Sequence, residues 1–233
     1  MSEYFDLSRF LDVIPRMLPF LGVTFAAVAV SMAAGTILAI LLAMLRIRKI
    51  PVGHQLLGVF ISFMRGTPMV VQMMIAYYGL PILLDAVGID ISDWDKIIFL
   101  DITLALNETA FLGEIFRSAI VSIPAVQTEA GYSIGMTRFS TFTRIVLPQT
   151  VRIVIPAFGI ELISVFHSTS LGYMIGVIDL MGRAKTLGVA TGHTLEAYIF
   201  AALIYIVISL VMRLIFTLLD KRSKYVRGQA NVL

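Results

Sequence analysis

The chain has 233 residues, 58% hydrophobic and only 14% charged, with a mean hydropathy of +0.92. Soluble domains carry about 25% charged residues, so the composition excludes an ordinary soluble domain and makes the bilayer the expected solvent for most of the surface. The net charge of +3 sits in short basic clusters at the ends of apolar runs, the orientation signal of membrane helices rather than a nucleic-acid footprint. The absence of cysteine removes disulfides, thiol nucleophiles and cysteine metal sites.

The first stretch, to Leu18, mixes Glu3, Asp6 and Asp12 with Arg9 and Arg16 and lacks the features of a cleaved leader. It is expected to be an amphipathic lead-in over residues 1–19, ending near Pro15 and Pro19. Phe20 to Leu45 is 26 residues without a charge. A span needs about 20 apolar residues, so this is the first predicted transmembrane helix. Ala29 and Ala33, and Gly35, Ala39 and Ala43, repeat small residues at spacings of four. They either admit a neighbouring helix closely or mark an alanine-rich helix without a partner face.

Val52 to Met64 is apolar but short and is predicted to lie near the interface. A second span is expected from Gly66 to Leu84, with Pro68 in its first turn and Pro81 marking its fraying end. An acidic loop follows, carrying Asp85, Asp90, Asp93, Asp95 and Lys96 around Trp94. Ile97 to Ile123 is a third, polar span that contains Asp101, Asn107, Glu108, Glu114 and Arg117. A fourth span is predicted from Val151 to Asp179, a short polar loop through Arg183, Lys185 and His193, and a fifth span from Leu195 to Leu219. Arg46, Arg48, Lys49, Arg65, Arg117, Arg138, Arg144, Arg152, Lys221, Arg222, Lys224 and Arg227 then fall on one side of this five-helix arrangement. Basic loops stay in the cytoplasm, which puts the N-terminus outside and the C-terminus inside. The fold class expected is an all-α integral membrane protein forming a single domain over 1–233, with a cytoplasmic tail over 220–233. No internal repeat is visible, which argues against a self-contained inverted-repeat carrier.

Residues 124–150 form the conspicuous polar island. Gln127-Thr128-Glu129 is expected to start a helix with an acidic first turn. Gly135 breaks it, and Arg138 to Val146 forms a second short helix that Pro148 ends. Ala130, Ile134, Phe139, Phe142 and Ile145 leave an apolar face that no lipid covers. Such a face fits either a protein partner or the ends of the chain's own helices.

Glu129-Ala130, Gly135 and Leu147-Pro148, at their spacing, resemble the EAA signature of type I importer permeases of the ATP-binding-cassette class. Gly131 stands where that family usually has a second alanine. The resemblance implies that Glu129, Ala130, Gly131, Gly135, Leu147 and Pro148 couple the permease to a separate ATPase.

A narrower pattern covers most of the chain. Arg65, Gly66, Thr67, Pro68 and Gln72, then Tyr78-Gly79-Leu80-Pro81, are similar to the second span of polar amino-acid permeases. Gly22, Thr24, Ser31 and Gly35 match the first span. Asn107, Glu114, Arg117, Ile123-Pro124, Gln127, Gln149, Pro156 and Thr169-Ser170-Leu171 continue the match. The resemblance implies a multi-pass subunit of a bacterial inner membrane that moves a polar amino acid or cystine. Its implied partners are a second permease (the same chain or a paralogue), ATPase subunits and an extracytoplasmic substrate-binding protein. The chain has no Gly-x-x-x-x-Gly-Lys-Ser/Thr loop, so ATP and Mg would be bound by the ATPase, with no cofactor here. The competing function is an ion-gradient-driven carrier or channel using intramembrane carboxylates.

Departures from the family cluster at membrane depth. His167 and Ser168 stand where lysine and aspartate are common, Ile160 where asparagine is common, and Glu108 where small uncharged residues are common. Polar residues at that depth are costly and are often functional. Glu108 lies roughly 16 Å into its span at the helix rise, and Glu161 reaches a similar depth from the other side, with Ser164 and Ser168 on its face. Glu108, Glu161, His167, Thr169 and Ser170 are therefore the substrate-pathway candidates. A buried glutamate suits an ammonium group; a neutral structural glutamic acid at Glu108, and helix-to-helix pairing at Glu161 and His167, are the alternatives. Glu114 and Arg117 are spaced for an intrahelical ion pair. The separated histidines give no metal site.

Overall fold

The computed structural model describes residues 5–48 and 51–230, without the side chains of Pro51, Val52 and residues 222–230. Glu3 and Lys49 of the charges counted above lie outside the described residues, as do the side chains of Arg222, Lys224 and Arg227. Every regular element among the described residues is helical.

Helix α1 (Leu7–Met17) is capped by Asp6, whose side chain accepts from Ser8 N–H, and a 3-10 turn over Leu18–Phe20 leads into α2 (Leu21–Ile47). The small residues of α2 divide by face. Ala29 and Ala33 are exposed, whereas Gly35, Ala39 and Ala43 are buried where α2 lies along α6 (Lys96–Val121). A Cβ on Gly113 of α6 would meet Leu42 at 2.6 Å, so both helices are cut back to let their backbones approach.

Helix α3 (Pro51–Gly66) meets the run α4 (Met69–Met74), a π turn (Ile75–Gly79) and α5 (Leu80–Asp85) at a bend of 113°. Pro68 stands just outside α4 as its N-cap, with extended backbone, rather than inside the first turn. After α6 the chain turns by 57° into α7 (Ala125–Ser133). Then come α8 (Arg138–Thr141), a second π turn (Phe142–Val146) and α9 (Leu147–Ser168), in one helical run that a 3-10 turn extends to Ile175.

Two expectations about proline are corrected here. Pro81 does not mark a fraying end, and Pro148 does not stop a helix. Each follows a five-residue π turn and a leucine, and each helix continues beyond it. Proline has no N–H to give the carbonyl four residues back, and its ring crowds that carbonyl. A π turn just upstream widens the spiral there, and the run survives.

The expected polar loop after the fourth span is also corrected. It contains α10 (Leu180–Thr191), begun by Asp179, whose side chain accepts from Gly182 N–H at 2.9 Å, and closed by Gly192 at φ +72°. Helix α11 (Thr194–Ala230) completes the chain. Helix α1 packs Val13 and Met17 against Leu180, Leu187 and Phe200 of α10 and α11, and Asp6 N–H donates to Glu196 Oε1 at 2.9 Å. Among the described residues three helical runs are long and apolar enough to cross a membrane, and up to five are if each bent pair counts as one span. The apolar side chains left uncovered on α2 and α11, among them Ile37, Leu210 and Leu214, form the surface suited to lipid.

Candidate functional site: two carboxyls and an exposed corner

Glu108 is 2% exposed, and its Oε2 has no hydrogen-bond partner among the described residues. It is pressed against α2, where a Cβ on Gly35 would stand 2.8 Å from Glu108 Cβ. Glu161 is half-buried on α9, which packs against α6. Those two pathway candidates are therefore on neighbouring helices. His167 is on another face: its ring is exposed, and Nε2 lies 2.7 Å from Ser209 Oγ of α11. Thr169 is buried and donates to Phe166 O at 2.8 Å, and Ser170 donates to His167 O at 2.6 Å, so both hydroxyls are engaged by the chain's own carbonyls.

The Arg65–Gln72 segment is a hydrogen-bonded corner. Gln72 Nε2 donates to Met64 O (2.8 Å), Thr67 O (3.0 Å) and Thr67 Oγ1 (2.9 Å). Asn107 of α6 donates to Gln72 Oε1 at 2.9 Å and to Met64 O at 3.1 Å. These bonds satisfy carbonyls freed by the bend at Gly66–Pro68 and tie the bend to α6. Arg65 leaves the corner exposed, its guanidinium 5.1 Å from the centre of the Phe111 ring. Glu114 pairs with Arg117 at 2.9 Å, and also with Arg46 at 3.3 Å, a partner that sequence spacing did not suggest. Arg65, Phe111, Glu114, Ile115, Ser118 and Glu161 line one open cavity of about 280 Å³.

In the polar segment after α6, α7 begins at Ala125 after Pro124, so Glu129 is in its middle and not in an acidic first turn. Proline is well placed to start the helix, which moves the boundary forward. The helix closes as a Schellman motif: Met136 N–H donates to Gly131 O at 3.0 Å and Gly135 N–H to Tyr132 O at 2.9 Å, with Gly135 at φ +82°. Gly131 is buried, and a Cβ there would lie 3.0 Å from Thr141 Cγ2 and 3.2 Å from Ile145 Cδ1. Gln149 ties the corner to α9 through Gln127 and through Ile145 O, the latter at 2.8 Å. One side of the corner therefore packs on the chain itself. The other does not: Ile134 and Phe139 are 79% and 78% exposed, beside exposed Val126, Glu129 and Arg138. Glu129 makes no ion pair among the described residues.

The acidic loop at the opposite end holds Asp90 in a tight turn, where the Ser92 backbone N–H at 2.8 Å keeps its carboxyl below the usual carboxylate range. Asp179 was not singled out in the sequence, and its part is structural. It is fully buried as the α10 cap, beside Thr24 Oγ1, which accepts from Leu180 N–H at 3.2 Å. The signal was present, since Asp179 before the segment and Gly192 after it are helix start and stop residues.

Comparison with known proteins gives a consistent result. The family model for "Binding-protein-dependent transport system inner membrane component" matches residues 35–225. The L-cystine transport system permease protein TcyL of Bacillus subtilis (strain 168) is 39% identical over 96% of this chain and 94% of its own length. The probable amino-acid ABC transporter permease protein PatM of Vibrio harveyi is 36% identical, covering 86% and 88%. Among solved structures, an amino acid ABC transporter with histidines superposes with a TM-score of 0.82 at 26% identity, over 94% of this chain and 99% of that one. The inward-facing MetNI methionine ABC transporter shares the fold, with a TM-score of 0.67 at 14% identity and coverage of 94% and 99%.

Proposed function

The chain belongs to the binding-protein-dependent transport system inner membrane components, and from that premise we propose that it is the permease subunit of an ATP-driven importer of a polar L-amino acid or cystine. It is a multi-pass inner-membrane protein. The names of its relatives support amino-acid transport, and family membership favours ATP-driven import over an ion-gradient-driven carrier. ATP and Mg are assigned to partner ATPase subunits, and a second permease and an extracytoplasmic binding protein complete the importer.

The basic residues Arg46, Arg65, Arg117, Arg138, Arg144 and Lys221 support five spans with the N-terminus outside and the C-terminus in the cytoplasm. The α7–α8 corner then faces the ATPase. The observation that carries this reading is the uncovered Ile134 and Phe139, with Glu129 in no ion pair among the described residues: an exposed apolar patch on a closed corner fits a docking partner. Because α8 and α9 are one helical run, force at the corner reaches Glu161 directly. Glu108 and Glu161 are the pathway carboxyls, suited to the ammonium of the substrate. His167, Thr169 and Ser170 stay pathway candidates in their observed, internally bonded positions.

The test is ATP-driven uptake by the importer reconstituted with Glu129→Lys, with membrane insertion measured in parallel. Insertion is expected to be unchanged and uptake largely lost; the same holds for disruption of Gly135 or Pro148. Normal uptake by the Glu129→Lys importer would reject the coupling role.

A further inference from the structure

The cavity at the α3–α4 bend carries an unusual charge inventory. Three acidic or basic side chains line it: Arg65, Glu114 and Glu161. Glu114 is already neutralised by Arg117 at 2.9 Å and Arg46 at 3.3 Å. Ser118 donates to Ile115 O at 3.0 Å and offers the cavity no free proton. Arg65 and Glu161 are different. Both line the cavity, yet neither makes a hydrogen bond or ion pair among the described residues. Arg65 is held in place by its stacking over Phe111 and by the Gln72-bonded corner at its base.

An opposed cation and anion that share an open space without closing on each other fit a ligand with the reverse pair. We propose that Arg65 and Glu161 form a zwitterion clamp, Arg65 holding the α-carboxylate and Glu161 the α-ammonium of a free amino acid. This rests on the amino-acid reading above and adds to it a residue, Arg65, that the sequence suggested only as part of the second-span motif and as an orientation charge.

The chemistry favours this assignment. A guanidinium presents paired N–H donors that match a carboxylate, and a carboxylate accepts from an ammonium. An α-amino acid holds its two charges on one carbon, so both are engaged only when the groups of the clamp stand close but apart. The clamp reads the part common to all α-amino acids and leaves the side chain to other residues. It also links binding to coupling. Glu161 is on the helical run that begins at the cytoplasmic corner, whereas Arg65 is on the α3–α4 bend tied to α6. Displacement of the corner changes the distance between the two and so grips or releases the ligand.

The test has two arms. ATP-driven uptake by the complete wild-type importer, with L-cystine, L-arginine, L-histidine and L-glutamine as probes, identifies the imported amino acid. Equilibrium binding to the permease–ATPase complex, without the binding protein, then compares that amino acid with its α-amide and its N-acetyl form. Wild type is expected to bind each derivative about 10-fold or more weaker, the loss of one charge-assisted bond. Arg65→Gln should abolish the penalty for the amide alone, Glu161→Gln the penalty for the N-acetyl form alone, and Arg65→Lys should keep both. These are ratios within one variant, so a partly unfolded preparation does not mimic them. Variants that keep both penalties, or a wild type that imports the amino acid but binds all three forms alike or not at all, overturn the clamp and leave the transport reading standing. Import of none of the four overturns the amino-acid reading and the clamp with it.

Discussion

Gly35 on α2 and Glu108 on α6 are in direct contact, so close that a methyl group on Gly35 would stand 2.8 Å from Glu108 Cβ and 3.0 Å from Ala105 O. The contact fixes where the buried carboxyl sits, since the backbone behind it has no room to give. Gly35→Ala should therefore overpack the α2–α6 seam, at a cost of about 1–3 kcal/mol. The check is thermal unfolding of the detergent-solubilised complex. An unchanged midpoint would show that the seam is looser than described.

Gln72 is the hub of the corner that turns α3 into α4, with bonds to Met64, Thr67 and Asn107. Gln72→Leu removes those partners and leaves the Asn107 amide and the freed carbonyls in an apolar setting. A loss of about 1–3 kcal/mol is expected. Asn107→Leu should add little to Gln72→Leu, because both act on one network. Full additivity of the two losses, measured by unfolding, would contradict this account.

Gly135 is at φ +82°, a conformation that costs an L-residue with a Cβ about 1–2 kcal/mol. Asparagine tolerates it best among the alternatives, and a β-branched residue least. Uptake by the reconstituted importer should thus fall in the order wild type, Gly135→Asn, Gly135→Val, with membrane insertion equal in all three. Equal uptake by the asparagine and valine variants would show that this turn does not set the corner.

Much of this was legible in the sequence. The charge-free run Phe20–Leu45, the position of Gly135 and the Glu114–Arg117 spacing all express local rules, and local rules hold where nothing overrides them. The two prolines are where they failed. Pro81 and Pro148 look like terminators, and only the π turns upstream of each, which no local propensity announces, let the helices continue. The cavity was hidden for another reason. Arg65 and Glu161 are far apart in sequence, and the 113° bend that carries Arg65 is tied to α6 by tertiary hydrogen bonds from Asn107.

Gly131 stands where relatives of the EAA type usually have alanine, and its surroundings explain the choice. A Cβ would lie 3.0 Å from Thr141 Cγ2, 3.1 Å from Thr141 Oγ1 and 3.2 Å from Ile145 Cδ1 at once. Thr141 is buried and β-branched, so its χ1 is stiff and it cannot swing away. Alanine would raise helix propensity by about 1 kcal/mol over glycine, and the crowding at Thr141 offsets that gain. Shortening Thr141 to serine deletes Cγ2 and relieves the nearest contact. Gly131→Ala should therefore be neutral or destabilising alone and stabilising in the Thr141→Ser background. A double-mutant cycle on unfolding of the complex is expected to return a coupling of about 1 kcal/mol. Zero coupling would mean that the two residues do not meet as described, and that the glycine is there for some reason other than the close approach of α7 to α8.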